Sequence, residues 1–309
     1  MPNNKPLIIS SWGVKVRFFS DDLNVLDFFL DKSNFYPKTQ ICDLNADSET
    51  RTEAVVDFTV IHKSEGKAII LNKTKRELIV CGKVPDDIPI RQFVWFLQPL
   101  FEYLYNLKGL FSLHASVINR KEKGVILLGF SCDGKSTLAG ELASSFDFNF
   151  FCDERCLVDF KKKEVLTGNR IVGLRKDILS QQIADKLSSL DGIKKEIADD
   201  KTFFEVKHED NPVKISKIFV VQYRPLPLEV ITMSDFDAIG YLYGNLTHTI
   251  RSVEVIPSGL LLGYPSFDTK SIARKRVKLL NDFIKKEKVK INWLMGTRED
   301  LANYISKNV

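Results

Sequence analysis

The stretch GVILLGFSCDGKSTLAGEL, residues 124–142, decides how the rest of the chain is read. Val125–Leu128 is a short apolar run of the kind that forms a buried strand. Gly129-Phe130-Ser131-Cys132-Asp133-Gly134-Lys135-Ser136 follows, a complete G-x-x-x-x-G-K-S match, and Thr137 leads into a helix continued by Leu138–Phe146. The chemistry of phosphate binding requires this spacing. Glycines lack a Cβ, so the loop backbone can bring its N–H groups together on phosphate oxygens. Lys135 adds a point charge near the β/γ-phosphates, the Ser136 hydroxyl can ligate Mg2+, and the following helix turns its positive end to the same anion. Residues 129–137 are therefore the candidate nucleotide-binding residues.

Downstream, the apolar run Phe148–Cys152 reads as the next strand and ends in Asp153-Glu154. The carboxyl ends of strands are where α/β proteins place ligands. One acid is expected to hold Mg2+, directly or through water, and another to accept the proton of an attacking hydroxyl. Upstream, Phe111–Ile118 reads as a strand separated from Val125–Leu128 by the polar turn Asn119–Gly124. If these strands pair, His114 comes near the loop, where it can contact the γ-phosphate or assist proton transfer. Arg155, Arg170 and Arg175 are further candidate phosphate contacts, whereas His62, His208 and His248 show no partner pattern and read as structural.

Alternation of strand and helix around this loop implies an α/β core. The first hundred residues read as a smaller α+β unit, with strands at Leu7–Phe19, Ala54–His62, Ala68–Leu71 and Glu77–Cys81. Ser20 is the expected cap of a short helix, and Ser64–Gly66 and Lys73–Lys75 are breaks of hairpin length. Residues 84–109 carry helical apolar spacing closed by Gly109, with Pro99 marking a kink or a new start. The expected domains are 1–108 and 109–309. Within the second, a helix is expected at Leu174–Leu187 and strands near Phe203–Val206, Ile215–Tyr223 and Leu228–Thr232. A helix capped by Ser234 or Asp235, a long helix Thr269–Lys286, a strand Val289–Leu294 and a final helix capped by Thr297 complete it. The charged segments Ser188–Lys201 and Glu205–Asn211 are candidates for a lid.

Composition excludes several classes. With 309 residues, 44% hydrophobic and 28% charged, the chain is an ordinary globular sequence. No apolar stretch approaches the ~20 residues that cross a bilayer, and the start has no long apolar segment of a signal peptide, so no membrane and a cytoplasmic location are expected. Of 45 basic and 40 acidic residues, 11 and 5 lie in 265–309, leaving 34 and 35 elsewhere. That basic end reads as a solvated lysine-rich face, and with no accompanying motif nucleic acid is not an expected partner. Five cysteines without a C-x-x-C pair argue against a disulfide framework or structural zinc, and Cys152 and Cys156 read as buried strand residues.

The order LHASVI, GVILLGFSCDGKSTLAGEL, FFCDERCLV resembles the HPr kinase/phosphorylase-like family, whose core is shared with ATP-dependent phosphoenolpyruvate carboxykinases. The resemblance covers roughly residues 110–160. It implies an α/β P-loop nucleotide-binding core of that type beside the small α+β N-terminal domain. It implies ATP and Mg2+ as cofactors, with Ser136, Asp153 and Glu154 at the metal, Asp153 as catalytic base, and His114 and Lys135 in catalysis. Relatives of this shorter type phosphorylate serine hydroxyls of peptides or small molecules, and family members are often oligomeric, which implies a homo-oligomer here. Cys132 stands where the family loop usually has glycine, and Glu154 where the second acid is usually Asp.

The leading expectation is thus a Mg-ATP-dependent kinase acting on a hydroxyl of a peptide, protein or small molecule. Cys132 and the lack of a further metal-binding Glu in Thr167–Leu174 motivate the alternative of a nucleotide-binding regulatory or scaffold protein without catalysis.

Overall fold

The computed structural model describes residues 6–30, 40–43, 55–84, 97–169, 171–175, 193–197, 201–205, 211–251 and 265–309. They form a mixed α/β chain. Its strands are β1 (Leu7–Ser11), β2 (Val14–Ser20), β3 (Gln40–Asp43), β4 (Phe58–Lys63), β5 (Ala68–Asn72), β6 (Glu77–Cys81), β7 (Phe111–Leu113), β8 (Ser116–Arg120) and β9 (Lys123–Leu128). Then come β10 (Asn149–Asp159), β11 (Glu164–Asn169), β12 (Ile171–Arg175), β13 (Ile193–Ile197), β14 (Lys201–Glu205), β15 (Val213–Tyr223), β16 (Glu229–Thr232) and β17 (Ile291–Gly296). The helices are α1 (Leu23–Leu30), α2 (Leu97–Lys108), α3 (Lys135–Ser145), α4 (Asp235–Ile250), α5 (Lys270–Asn281) and α6 (Arg298–Lys307).

Two compact units divide the chain: Met1–Gly109 with Thr247–Ile272, and Leu110–Leu246 with Ala273–Val309. The segment 247–272, which the sequence reading assigns to the second domain, therefore groups with the first. Phe267 supplies the reason. Its fully buried ring packs 6.3 Å from Phe58 and 5.5 Å from Tyr103, and burying an aromatic ring of this size is worth several contacts of smaller side chains.

In the first unit a six-stranded sheet runs β3-β1-β2-β4-β6-β5. Val14, Val16, Phe18 and Ser20 of β2 are buried in strict alternation, the period of a strand with one covered face. Lys73–Lys75 joins the antiparallel pair β5–β6 as expected. Ser64–Gly66 does not make a hairpin, because β6 lies between β4 and β5. The cap of α1 is Asp22, whose carboxylate accepts the Asn24 N–H at 2.9 Å. Ser20 is used elsewhere: its hydroxyl sits 2.8 Å from His62 Nδ1, while His62 Nε2 lies 3.0 Å from the Gly82 carbonyl. Pro99 is buried in α2, three residues into its described part. Residues 85–96 of that expected helical stretch lie outside the described residues.

The second unit holds an eight-stranded sheet ordered β11-β10-β8-β9-β15-β17-β16, with β7 paired to β10. β11 also pairs with β15 at Val165–Val213, closing β11-β10-β8-β9-β15 into a five-stranded ring. β9 is buried on both faces. Ile126 and Leu128 join a core with Leu242, Leu246 and Phe283, and Val125 and Leu127 join another with Leu138, Leu142, Leu301 and Ile305. That burial explains the uninterrupted apolar run in the sequence. A separate three-stranded sheet orders β12-β14-β13.

Several expected boundaries move. Phe111–Ile118 is two strands broken at His114-Ala115, because β7 pairs with β10 whereas β8 pairs with both β9 and β10. β10 does not end at Asp153-Glu154 but continues to Asp159. Ile171–Arg175 is a strand where a helix from Leu174 is expected, and Ile193–Ile197 is a strand inside the expected charged lid; residues 176–192, 198–200 and 206–210 lie outside the described ones. α4 is capped by Ser234, which accepts the Asp237 N–H, and α6 by Thr297, which accepts the Asp300 N–H. α5 continues into a π-turn over Asp282–Lys286, whose lysines are exposed. Among the described residues no helix is long and apolar enough to cross a membrane.

Burial holds the His62 imidazole below its usual pKa, with the Gly82 carbonyl and the charges of Asp21 and Asp22 opposing. Its stabilising neutral form is complete above the unfolded-state value of 6.5, and stability falls as the pH drops below that value, because the unfolded chain then binds the proton more readily. Thermal melts from pH 7.5 to 5.5 should show a fall in Tm that is smaller in His62→Gln, and an equal fall in both proteins contradicts this role.

Candidate functional site

The turn from β9 to α3 is braced by its own residues. Gly134, at φ 88°, provides the left-handed backbone from which α3 starts, and no side chain caps that helix. The Asp133 carboxylate accepts the Phe130 N–H at 2.6 Å, and the Asp133 carbonyl accepts the Tyr223 N–H at 3.2 Å. Cys132 is also left-handed, at φ 69°, which costs a residue with a Cβ about 1 kcal/mol or more. Phe130, Ser131 and Cys132 are exposed at the apex, while Ser136 and Thr137 are half-buried in the first helical turn.

Lys135 is only 7% exposed. Its ammonium donates to the carbonyls of Gly129 at 3.0 Å and Phe130 at 2.8 Å. An ammonium carries three donors, so these two bonds leave one for a ligand. Burial lowers its pKa, opposed by the charges of Asp153, Asp133 and Glu154. Those three carboxylates lie beyond ion-pair distance of the ammonium, so they offset its burial only in part.

Asp153 sits beside it because β10 is irregular at this point. Asp153 pairs with Asn169 and Cys156 with Gly168, so Glu154 and Arg155 are extra residues in a bulge, and Glu154 takes φ 58°. Bulges re-aim side chains and are frequent beside active sites. Here Asp153 is buried at 1% exposure while its neighbour Glu154 is exposed. Asp153 Oδ1 accepts hydrogen bonds from the hydroxyls of Ser136, at 3.0 Å, and Ser116. Oδ2 is buried and has no hydrogen-bond partner. Burial raises the Asp153 pKa to about 6, against the lowering effect of the two serines.

The structure thus brings Lys135, Ser136 and Asp153 together, with Glu154 on the same bulge. His114 lies in the gap between β7 and β8, two residues before Ser116, and is exposed. Arg155 is half-buried in the bulge; Arg170 and the side chain of Arg175 are outside the described residues. Three neighbours have no signal in the sequence that marks them out. Ser116 binds Asp153, the Asn245 amide holds the backbone of His114, and the Tyr241 ring meets the Phe130 ring edge-on at 6.1 Å. Tyr241 and Asn245 are four apart on α4, which places them on one face but does not say what that face meets. Chemically, a partly compensated buried ammonium beside a carboxylate oxygen with an open coordination position suits an anion accompanied by a cation. Comparison with models of known families and with curated proteins returns no match for this chain.

Gly168 backs the bulge. A Cβ there would lie 2.4 Å from Cys152 Sγ and 2.5 Å from the Arg155 carbonyl, so something must shift. Gly168→Ala should displace Asp153 and destabilise the fold by about 1–3 kcal/mol, the usual cost of overpacking, readable by denaturant titration. An unchanged midpoint would mean that the bulge is not held from behind.

The raised Asp153 pKa also has a stability consequence. An acid with its pKa raised in the folded state loses stability as pH rises through 3.8 to about 6, here by up to about 3 kcal/mol. Asp153→Asn keeps an acceptor for both serines, so in the absence of divalent metal it should melt higher than wild type at pH 8, with the difference shrinking towards pH 4.

Proposed function

We propose that the second unit is a Mg-ATP-dependent kinase that transfers the γ-phosphoryl group to a hydroxyl of a peptide, protein or small molecule. The observation that carries this reading is the adjacency of the buried Lys135 ammonium and the Asp153 carboxylate across Ser136, at the start of a helix with no side-chain cap. The G-x-x-x-x-G-K-S spacing and the likeness to the HPr kinase/phosphorylase-like family support it.

In this reading the backbone of residues 129–137 and the third donor of Lys135 hold the phosphates, with α3 adding its positive end. Ser136 and Asp153 would hold Mg2+, with Glu154 beside them; the buried, unpartnered Oδ2 fits a cation, and two protein ligands suit a metal that completes its shell with phosphate and water. Among the described residues no cluster of three or more His, Cys, Asp or Glu offers an all-protein site instead. Bound there, Mg2+ supplies positive charge to the phosphate oxygens. Asp153 would accept the proton of the acceptor hydroxyl, and His114 would assist from the β7–β8 gap. Use of ATP accords with a cytoplasmic location, and a homo-oligomer accords with the family likeness.

Two measurements test this. Lys135→Ala should weaken ATP binding at least tenfold by calorimetry, because the buried cation is lost. With γ-labelled ATP, Mg2+ and cell extract split into protein and small-molecule fractions, wild type should label one fraction and Asp153→Asn neither. ATP binding without transfer in any fraction would instead favour a nucleotide-sensing scaffold.

A further inference from the structure

One feature of the second unit lies beyond the nucleotide loop and its acids. In the gap between β7 and β8, Asn245 grips a single residue with both ends of its amide. Its Oδ1 accepts the His114 N–H at 2.9 Å, and its Nδ2 donates to the His114 carbonyl at 3.3 Å. His114 lies outside both the β7–β10 and the β8–β9 ladders. Here α4 supplies the pairing that the sheet does not. The same helix, one turn earlier, places Tyr241 against Phe130 of the loop. Burial and the charge of Asp133 push the Tyr241 hydroxyl up to about 12, so it stays neutral beside the loop. One rigid helix face is therefore fastened to the loop apex and to the His114 backbone at the same time.

We propose that Asn245 is a positioning residue for the transfer reaction: by clamping the backbone of His114 it fixes the point from which the imidazole projects, two residues before Ser116, whose hydroxyl binds Asp153. This rests on the kinase reading of the site. The clamp is to the backbone, so it has a property a side-chain contact would not have. His114→Ala leaves the clamp intact and removes only the imidazole, whereas Asn245→Ala leaves the imidazole and removes only the clamp. If Asn245 acts through His114, the two losses are not additive, since contacting residues that serve one function couple strongly.

The experiment is a double-mutant cycle on the full chain with two readouts, a histidine resonance that does not need the acceptor and label transfer from γ-labelled ATP to the fraction of cell extract that wild type labels. The chain has four histidines, so the His114 imidazole resonance is assigned by its disappearance in His114→Ala. Asn245→Ala should shift the titration midpoint or line width of that resonance and leave those of the other three unchanged. In transfer assays Asn245→Ala should lower kcat about tenfold with KM for ATP within twofold, and the double variant should be no slower than His114→Ala alone. A His114 titration identical to wild type, or a double variant slower by the full product of the two single losses, overturns the proposal. Should Asn245→Ala fail to fold, Asn245→Asp, which keeps the acceptor for the His114 N–H, is read by the same two criteria. Wild-type protein that neither binds nor consumes ATP overturns the kinase reading, and the resonance then decides the clamp on its own.

Discussion

The organising constraint is a single buried carboxylate. Asp153 Oδ1 collects hydroxyls from Ser116 on β8 and Ser136 on α3, and so ties β8, α3 and β10 of the second unit together. A buried carboxylate is expensive unless it is hydrogen-bonded, and two donors do not cover its capacity. The unsatisfied oxygen and the raised pKa are what remain of that expense. Groups of this kind are kept at sites that use them, because nothing in packing alone repays them.

The surrounding architecture follows from holding that group still. β9 is buried on both faces and delivers the loop from the wall of a closed ring of strands, between β8 and β15. Across the ring β10 must bring an acid to the same place, and it does so at a bulge, with Gly168 of β11 close behind it. The left-handed Glu154 and Cys132 are strained positions on either side of the site.

The first unit shows a different economy. Its polar network is fully internal: Ser20, His62 and Gly82 connect β2, β4 and the end of β6, and the helix cap falls to Asp22 instead. The Ser20 hydroxyl faces His62 Nδ1 and accepts the Asp22 N–H, and the Asp22 carboxylate takes the first helical N–H it can reach, that of Asn24.

Local interactions are what the sequence by itself determined. The loop spacing, the helix after it, the caps Ser234 and Thr297 and the buried strand Val125–Leu128 depend on residues a few positions apart, so local pattern is enough to read them. Asp153 and Ser136 were legible as candidates for the same reason. What only the tertiary structure decided is everything that needs two distant segments: that β10 runs on past Asp153, that Phe111–Ile118 breaks at His114, that Phe267 joins the first unit, and that Asn245, 131 residues from His114, holds it. A bulge is set by the strands on both sides, and a backbone clamp by whichever helix packs over the gap. Neither leaves a period or a motif in its own stretch of chain, because the partner that fixes the conformation is far away in sequence.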